Sequence, residues 1–179
     1  MADLLFWIAY VVIIISLIIV AMFAYLPFFF GAPWEPTSKE ILKKMVEYSK
    51  PKKGEKIVDL GSGSGTIVIE FAKNPSIREA HGYEINPILV WISRRRIKRL
   101  GLEKKAFIHF GNFMNHDLSK FDIVAIFQIF LIMGKIEKKL KKELKKGSRV
   151  VSNAWKFKDW KPSKKFEESF LRNVYLYKI

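Results

Sequence analysis

This sequence predicts an open α/β fold, a mostly parallel sheet with helices on its faces, on three observations. The apolar run Lys56 to Leu60 carries Asp59 near its end and passes directly into Gly61-Ser62-Gly63-Ser64-Gly65. Thr66 to Lys73 then shows helical spacing, and strand, glycine turn, helix is how such sheets offer backbone N–H groups to a nucleotide-like ligand. Further on, short apolar runs alternate with helical patterns, the alternation that builds a helix-flanked parallel sheet.

The elements follow in chain order. Leu4 to Leu26 is almost continuously apolar, and no charged residue occurs from Leu4 to Trp34. A helix needs about 20 such residues to cross a hydrocarbon core of about 30 Å. Trp7 and Tyr10 near one end, and Tyr25 and Trp34 near the other, suit the two interfaces. An interfacial or ordinary core helix would keep a polar face, and a cleaved signal peptide would start with basic residues. Residues 4–26 are therefore expected to span a bilayer, within an N-terminal anchor of residues 1–30.

Residues 31–54 are expected to form a lead-in segment and a helix. Pro27, Pro33 and Pro36 should end the anchor and mark Phe28 to Pro36 as irregular; Thr37 or Ser38 then caps a helix to about Ser49. The ligand-binding domain occupies residues 55–179. A second strand runs from Glu79 to Tyr83, and Asn86-Pro87 opens a helix to Leu100. Ala106 to Phe110 and Phe121 to Phe127 are the third and fourth strands. A helix from Lys135 to Lys146 and a fifth strand from Arg149 to Ala154 follow. Phe166 to Phe170 and Val174 to Tyr177 suit a closing antiparallel hairpin.

The net charge is +15, which calls for an acidic partner. Lys39, Lys43, Lys44, Lys50, Lys52 and Lys53 follow the apolar segment and no Lys or Arg precedes it, so the positive-inside rule puts the C-terminal domain in the cytoplasm. Anionic headgroups then account for the charge, at about 1 kcal/mol per nearby cation. Nucleic acid is not the expected partner, because no basic run is interleaved with a stacking platform. The chain has no cysteine, which excludes disulfides and thiolate chemistry. His81, His109 and His116 lack metal-ligand spacing, and no metal is expected.

The glycine spacing narrows the ligand. In the dinucleotide fingerprint a third glycine would stand at Thr66. What stands here is D-x-G-x-G-x-G, which resembles the first motif of class I S-adenosylmethionine-dependent methyltransferases. Glu84, nineteen residues beyond Gly65 at the end of the second strand, is placed to accept both hydroxyls of a ribose.

Other stretches are more specific. Ala32-Pro33-Trp34-Glu35-Pro36-Thr37, Gly82-Tyr83-Glu84-Ile85-Asn86-Pro87, Leu89-Val90-Trp91, Ile136-Glu137-Lys138-Lys139-Leu140 and Trp160-Lys161-Pro162 join the glycine loop and the apolar N-terminus. Together they resemble the membrane-anchored protein-lysine methyltransferases that include the ATP synthase c-subunit and adenine nucleotide translocase enzymes. The resemblance implies a Rossmann-like class I methyltransferase fold using S-adenosylmethionine. It implies cofactor contacts from Asp59, Gly61, Ser62, Gly63, Gly65, Glu84 and Asn86; Asn112 departs from the Asp that class I enzymes often carry after the third strand, yet its carbonyl can accept the adenine amino group, with Phe113 packing on the adenine. Trp34, Glu35 and Thr37 are the candidates for closing over cofactor or acceptor. Gln128-Ile129-Phe130-Leu131 departs from the family, which tends to carry Pro-Gln after the fourth strand.

The expected activity is methylation of a lysine in a membrane or membrane-proximal protein. A methyltransferase of lipids or other hydrophobic small molecules, and a non-catalytic binding or scaffold protein of the same fold, remain open alternatives at this level.

Overall fold

The computed structural model describes residues 2–30, 37–169 and 171–179; of the first helix, the side chains of Ala2, Leu4 and residues 21–30 are outside the description. The chain divides into two compact units, residues 1–34 and residues 35–179. The first is a single helix, α1 (Ala2–Phe30). It runs on through Pro27, where the sequence pattern predicts its end; a proline forfeits one backbone bond at about 3 kcal/mol without forbidding further turns. The described side chains from Leu5 to Val20 are exposed, and Ser16 donates back to the Val12 carbonyl at 2.8 Å. Among the described residues no helix is long and apolar enough to cross a membrane. The stretch 4–26 expected to do so extends past the described side chains.

The second unit is built on one sheet. Its strands are β1 (Glu55–Leu60), β2 (Ile77–Glu84), β3 (Ala106–Phe110), β4 (Ile123–Ile126), β5 (Arg149–Asn153), β6 (Lys164–Glu167) and β7 (Asn173–Lys178). Their spatial order is β3-β2-β1-β4-β5-β7-β6. The first five are parallel, while β7 pairs antiparallel with both β5 and β6. The order reverses between β1 and β4, and at such a switch point the crevice outside the carboxyl ends of the strands takes the ligand.

Alternation within the strands feeds two cores. Ile57, Ile123, Ala125 and Val151 face α2 (Lys39–Ser49), α3 (Thr66–Lys73) and α4 (Pro87–Arg99), meeting Met45, Phe71 and Ile97. Val58, Val124, Ile126 and Val150 face the other way, onto Met133, Ile136 and Leu140 of α5 (Phe130–Glu143) with Leu118 and Phe121. Strands covered on both faces read as continuous apolar runs, which is why β4 carries no polar residue. Ser38 caps α2, its hydroxyl accepting the Ile41 N–H at 3.4 Å.

Several boundaries differ from those the sequence predicts. The last long helix begins at Phe130, not Lys135, because Met133 and Ile136 turn into the core together and Gly134 is tolerated between them at about 1 kcal/mol. It ends at Glu143, since Leu144 leaves the helical conformation. β4 starts two residues late: Phe121 is buried, but Asp122 turns its carboxylate onto the Lys56 N–H at 2.8 Å. The hairpin strand shifts to Lys164–Glu167, in register with β7 from Lys164↔Leu176 to Glu167↔Asn173.

Candidate active site

The glycine loop is folded by its own backbone. Gly61 and Ser62 both donate to the Tyr83 carbonyl, at 3.0 and 2.9 Å, and Gly65 donates to Ser62 at 2.8 Å. Gly61 takes a φ of +83°, and a Cβ there would lie 1.9 Å from Gln128 Nε2, so both conformation and space demand glycine. Gly82, opposite Asp59 in the parallel register, is needed for space alone: a Cβ would sit 2.5 Å from the Ser62 side chain.

Glu84 joins this loop to α4. One carboxylate oxygen accepts the Gly63 N–H at 2.7 Å and the other accepts the Asn86 N–H at 2.8 Å. The side chain is buried, yet each oxygen keeps a second lone pair, the equipment for two vicinal hydroxyls. Asp59 is the opposite case. It is 1 % exposed and its Oδ1 has no hydrogen-bond partner. Burial, and then the charge of Glu84, push its carboxyl well above the usual carboxylate range. A buried acceptor left unpaired is costly, and its place at the switch point suits a cationic or N–H-bearing ligand group.

The remaining expected residues divide. Asn86 caps α4, its carbonyl accepting from Ile88 at 2.9 Å and Leu89 at 3.4 Å. Asn112 caps the short 3₁₀ turn Phe113–Asn115 through Met114 N–H at 2.9 Å, which leaves one lone pair on that oxygen. Phe113 is half-buried and packs on the core beneath α5. Thr37 is buried just ahead of the α2 cap. Trp34 and Glu35 lie outside the described residues.

Against known proteins, residues 59–164 match the ANTKMT methyltransferase domain. This chain belongs to that family. The ANTKMT-domain relatives include a Saccharolobus islandicus protein-lysine N-methyltransferase, 34% identical over 82% of this chain and 93% of its own length. They also include the mouse lysine N-methyltransferase of the ATP synthase c-subunit, 35% identical over 73% of this chain. The chain spans about half of that mammalian protein, 51%. Among solved structures, a Salinibacter ruber RNA methyltransferase in complex with S-adenosyl-L-homocysteine superposes with a TM-score of 0.75 at 27% identity, covering 81% of this chain and 94% of that one. The protein is thus an S-adenosylmethionine-dependent methyltransferase with the Rossmann-like fold of its class.

The ANTKMT-domain site fits that cofactor on its own observations: the orphaned Asp59 oxygen, the double-acceptor Glu84, and a loop in which added Cβ atoms would collide. Three contributors escaped sequence reasoning. Gln128, two residues beyond β4, donates to the Leu60 carbonyl at 2.8 Å, a meeting across 68 residues that sets it against Gly61. Arg96 reaches from α4 to Ser64 O at 2.7 Å, Ser64 Oγ at 2.8 Å and Thr66 Oγ1 at 3.1 Å, tying down the loop. Asn153, 2 % exposed at the end of β5, has an unpaired Oδ1. The last two had a signal, an arginine at helical spacing from α4 core residues and a Ser-Asn pair closing the strand Arg149–Asn153, but neither signal names a partner.

The three histidines meet beside β2 and β3, His81 from β2, His109 from β3 and His116 from the end of the 3₁₀ turn after it. His81 Nδ1 lies 2.9 Å from His109 Nε2, and Tyr83 stacks on His116 with centroids 4.3 Å apart. Burial lowers the pKa of both His81 and His109. Among the described residues no group of three or more His, Cys, Asp or Glu is placed to hold a metal ion.

Proposed function

We propose that this protein methylates a lysine side chain of a membrane or membrane-proximal protein, tethered by residues 4–26 with its catalytic domain on the cytoplasmic side. The observation that supports the reading is the pairing of Glu84 and the orphaned Asp59 oxygen at the glycine loop with a carboxyl edge that exposes apolar side chains. Phe130 is 60 % exposed and Leu131 69 %, with Trp155 packed on Phe130 at a centroid distance of 5.5 Å. An apolar edge there suits a hydrophobic protein segment. The names of relatives acting on the ATP synthase c-subunit and on adenine nucleotide translocase support the acceptor class. The uncharged stretch Leu4 to Trp34, followed by lysines, supports the tether and its orientation.

When bound, S-adenosylmethionine supplies an electrophilic methyl carbon on a sulfonium. Glu84 and the glycine loop would hold its ribose, and Asp59 would answer its amino group. Gln128 commits its amide N–H to Leu60, which leaves its carbonyl oxygen to accept from the incoming amine. An acceptor docked on Phe130 and Trp155 would lose water there; desolvation beside positive charge lowers the amine's pKa, so no dedicated base is required. Positioning and desolvation are then the protein's main contributions.

The test is purified full-length protein with radiolabelled S-adenosylmethionine and membrane fractions. Label on a delipidated protein band, mapped to lysine by mass spectrometry, is the expected result. Label confined to organic extract, or removed by ribonuclease, would replace lysine by a lipid or an RNA acceptor. No label despite cofactor binding would refute the proposal.

A further inference from the structure

We infer that the outward face of α4 is a docking surface for an anionic lipid bilayer; this rests on the membrane-tethered reading above. The argument starts from how α4 uses its arginines. Arg94 donates through Nε and Nη2 to the Ile108 carbonyl at 3.1 and 2.7 Å, and Arg96 is spent on the glycine loop. Those two cations hold the domain together. Arg95, Lys98 and Arg99 are exposed, and among the described residues no carboxylate forms an ion pair with any of them.

The three outward cations share their face with two exposed apolar residues. Ile88, Trp91, Arg95, Lys98 and Arg99 recur at three- and four-residue intervals, one stripe of a helix. Ile88 is 49 % exposed and Trp91 57 %. The Arg95 guanidinium lies over the Trp91 ring at 4.7 Å, and Trp91, Arg95, Lys98 and Arg99 line a shallow hollow of about 490 Å³. Water alone explains unpaired cations but gives no gain for an isoleucine and a tryptophan beside them. A bilayer surface satisfies both: indole and aliphatic groups sit at headgroup depth while Lys and Arg reach the phosphates. A nucleic acid fits less well, because the Trp91 ring is already covered by Arg95 and Ile88 offers neither stacking nor hydrogen bonds.

The position of the stripe gives it a use. α4 leaves β2 immediately after Glu84, and Asn86 fastens its first turn. A bilayer touching Ile88 and Trp91 therefore lies beside the carboxyl edge of the sheet, where an acceptor lysine must arrive.

The chain contains no cysteine, so single labels are unambiguous. Full-length I88C and, as a control on α5 at the opposite face of the sheet, K142C carry a nitroxide. Both are reconstituted into nanodiscs of phosphatidylcholine alone or with phosphatidylglycerol. Accessibility to oxygen and to a water-soluble nickel complex is read by electron paramagnetic resonance. The expected result is that phosphatidylglycerol shields position 88, not 142, from nickel. Adding R95Q/K98Q/R99Q should lower the docked-to-free ratio on the order of 100-fold, at roughly fivefold per cation. Equal nickel access in both lipids, in protein that co-elutes with the discs, would overturn the inference while leaving the tether standing. Failure to co-elute would overturn both. Shielding by polyuridylate but not by phosphatidylglycerol would also overturn it.

Discussion

The two halves of the carboxyl edge are made from different materials. At the ends of β1 and β2, recognition is built from backbone N–H groups, glycines and two buried carboxylates, all within 26 residues of chain from Asp59 to Glu84. At the ends of β4 and β5 stand exposed aromatic and aliphatic side chains, with the buried Gln128 and Asn153 nearby. The geometry of the first half is set by the sheet register and by Glu84 on Gly63. The second presents a surface that side-chain substitution can re-tune without touching the sheet. A common cofactor with a variable acceptor calls for that division.

Four substitutions sharpen the contrast. The largest effect is expected from Glu84→Ala, which removes the two hydroxyl acceptors and strands the Gly63 and Asn86 N–H groups. Charged hydrogen bonds contribute about 1.5–3 kcal/mol each, so cofactor affinity should fall at least on the order of 100-fold by calorimetry. Unchanged affinity in a folded variant would remove Glu84 from the site.

Asp59→Asn should act in two directions. Folding raises this carboxyl's pKa, so the folded state holds a proton that the unfolded chain releases. The cofactor-free protein therefore loses stability as pH rises from the unfolded pKa through the folded one. The asparagine variant should have a higher Tm than the parent at neutral pH without cofactor, and a flatter pH dependence. Its cofactor affinity should nonetheless drop about tenfold, the loss of one charged contact. In the parent, affinity should weaken as pH falls through the raised pKa. A variant with lower Tm and unaltered binding would make Asp59 a packing residue.

The smallest change is expected on the other half. Phe130→Ser and Leu131→Ser should raise KM for a protein acceptor about five- to tenfold, as expected for partial loss of apolar burial worth about 1.5–3 kcal/mol when complete. The dissociation constant of the cofactor should not move. A shift in that constant would show that the two halves are not separable.

This contrast also explains what can be read from sequence. Strand, loop, helix and Glu84 are legible because each depends on neighbours: glycine on its own φ, Asn86 and Pro87 on the first turn they start, β1 and β3 on short apolar runs. The start of α5 is not, since Phe130 to Met133 carries no polar face until the sheet beneath it decides which residues turn inward. Gln128 against Gly61 and His81 against His109 are meetings across strands, and sequence spacing carries no trace of them. Asn112 and Asn86 stand out in the sequence, but a side chain that caps its own turn has the same composition as one that waits for a ligand.

The pairing of Asp59 with Gly82 has one more consequence, for how such a chain tolerates change in length. Both ends of the βαβ unit are pinned, one by the ladder from Ile57↔Ala80 to Leu60↔Tyr83 and one by Glu84 on Gly63. Between them, the turn at residues 74–76 joins α3 to β2 and takes no part in the site. Residues gained or lost at that turn would be absorbed at the amino end of the sheet, leaving the distance from glycine loop to carboxylate as it is. Distant members of the family can therefore differ in spacing between the two motifs and still hold the same ligand.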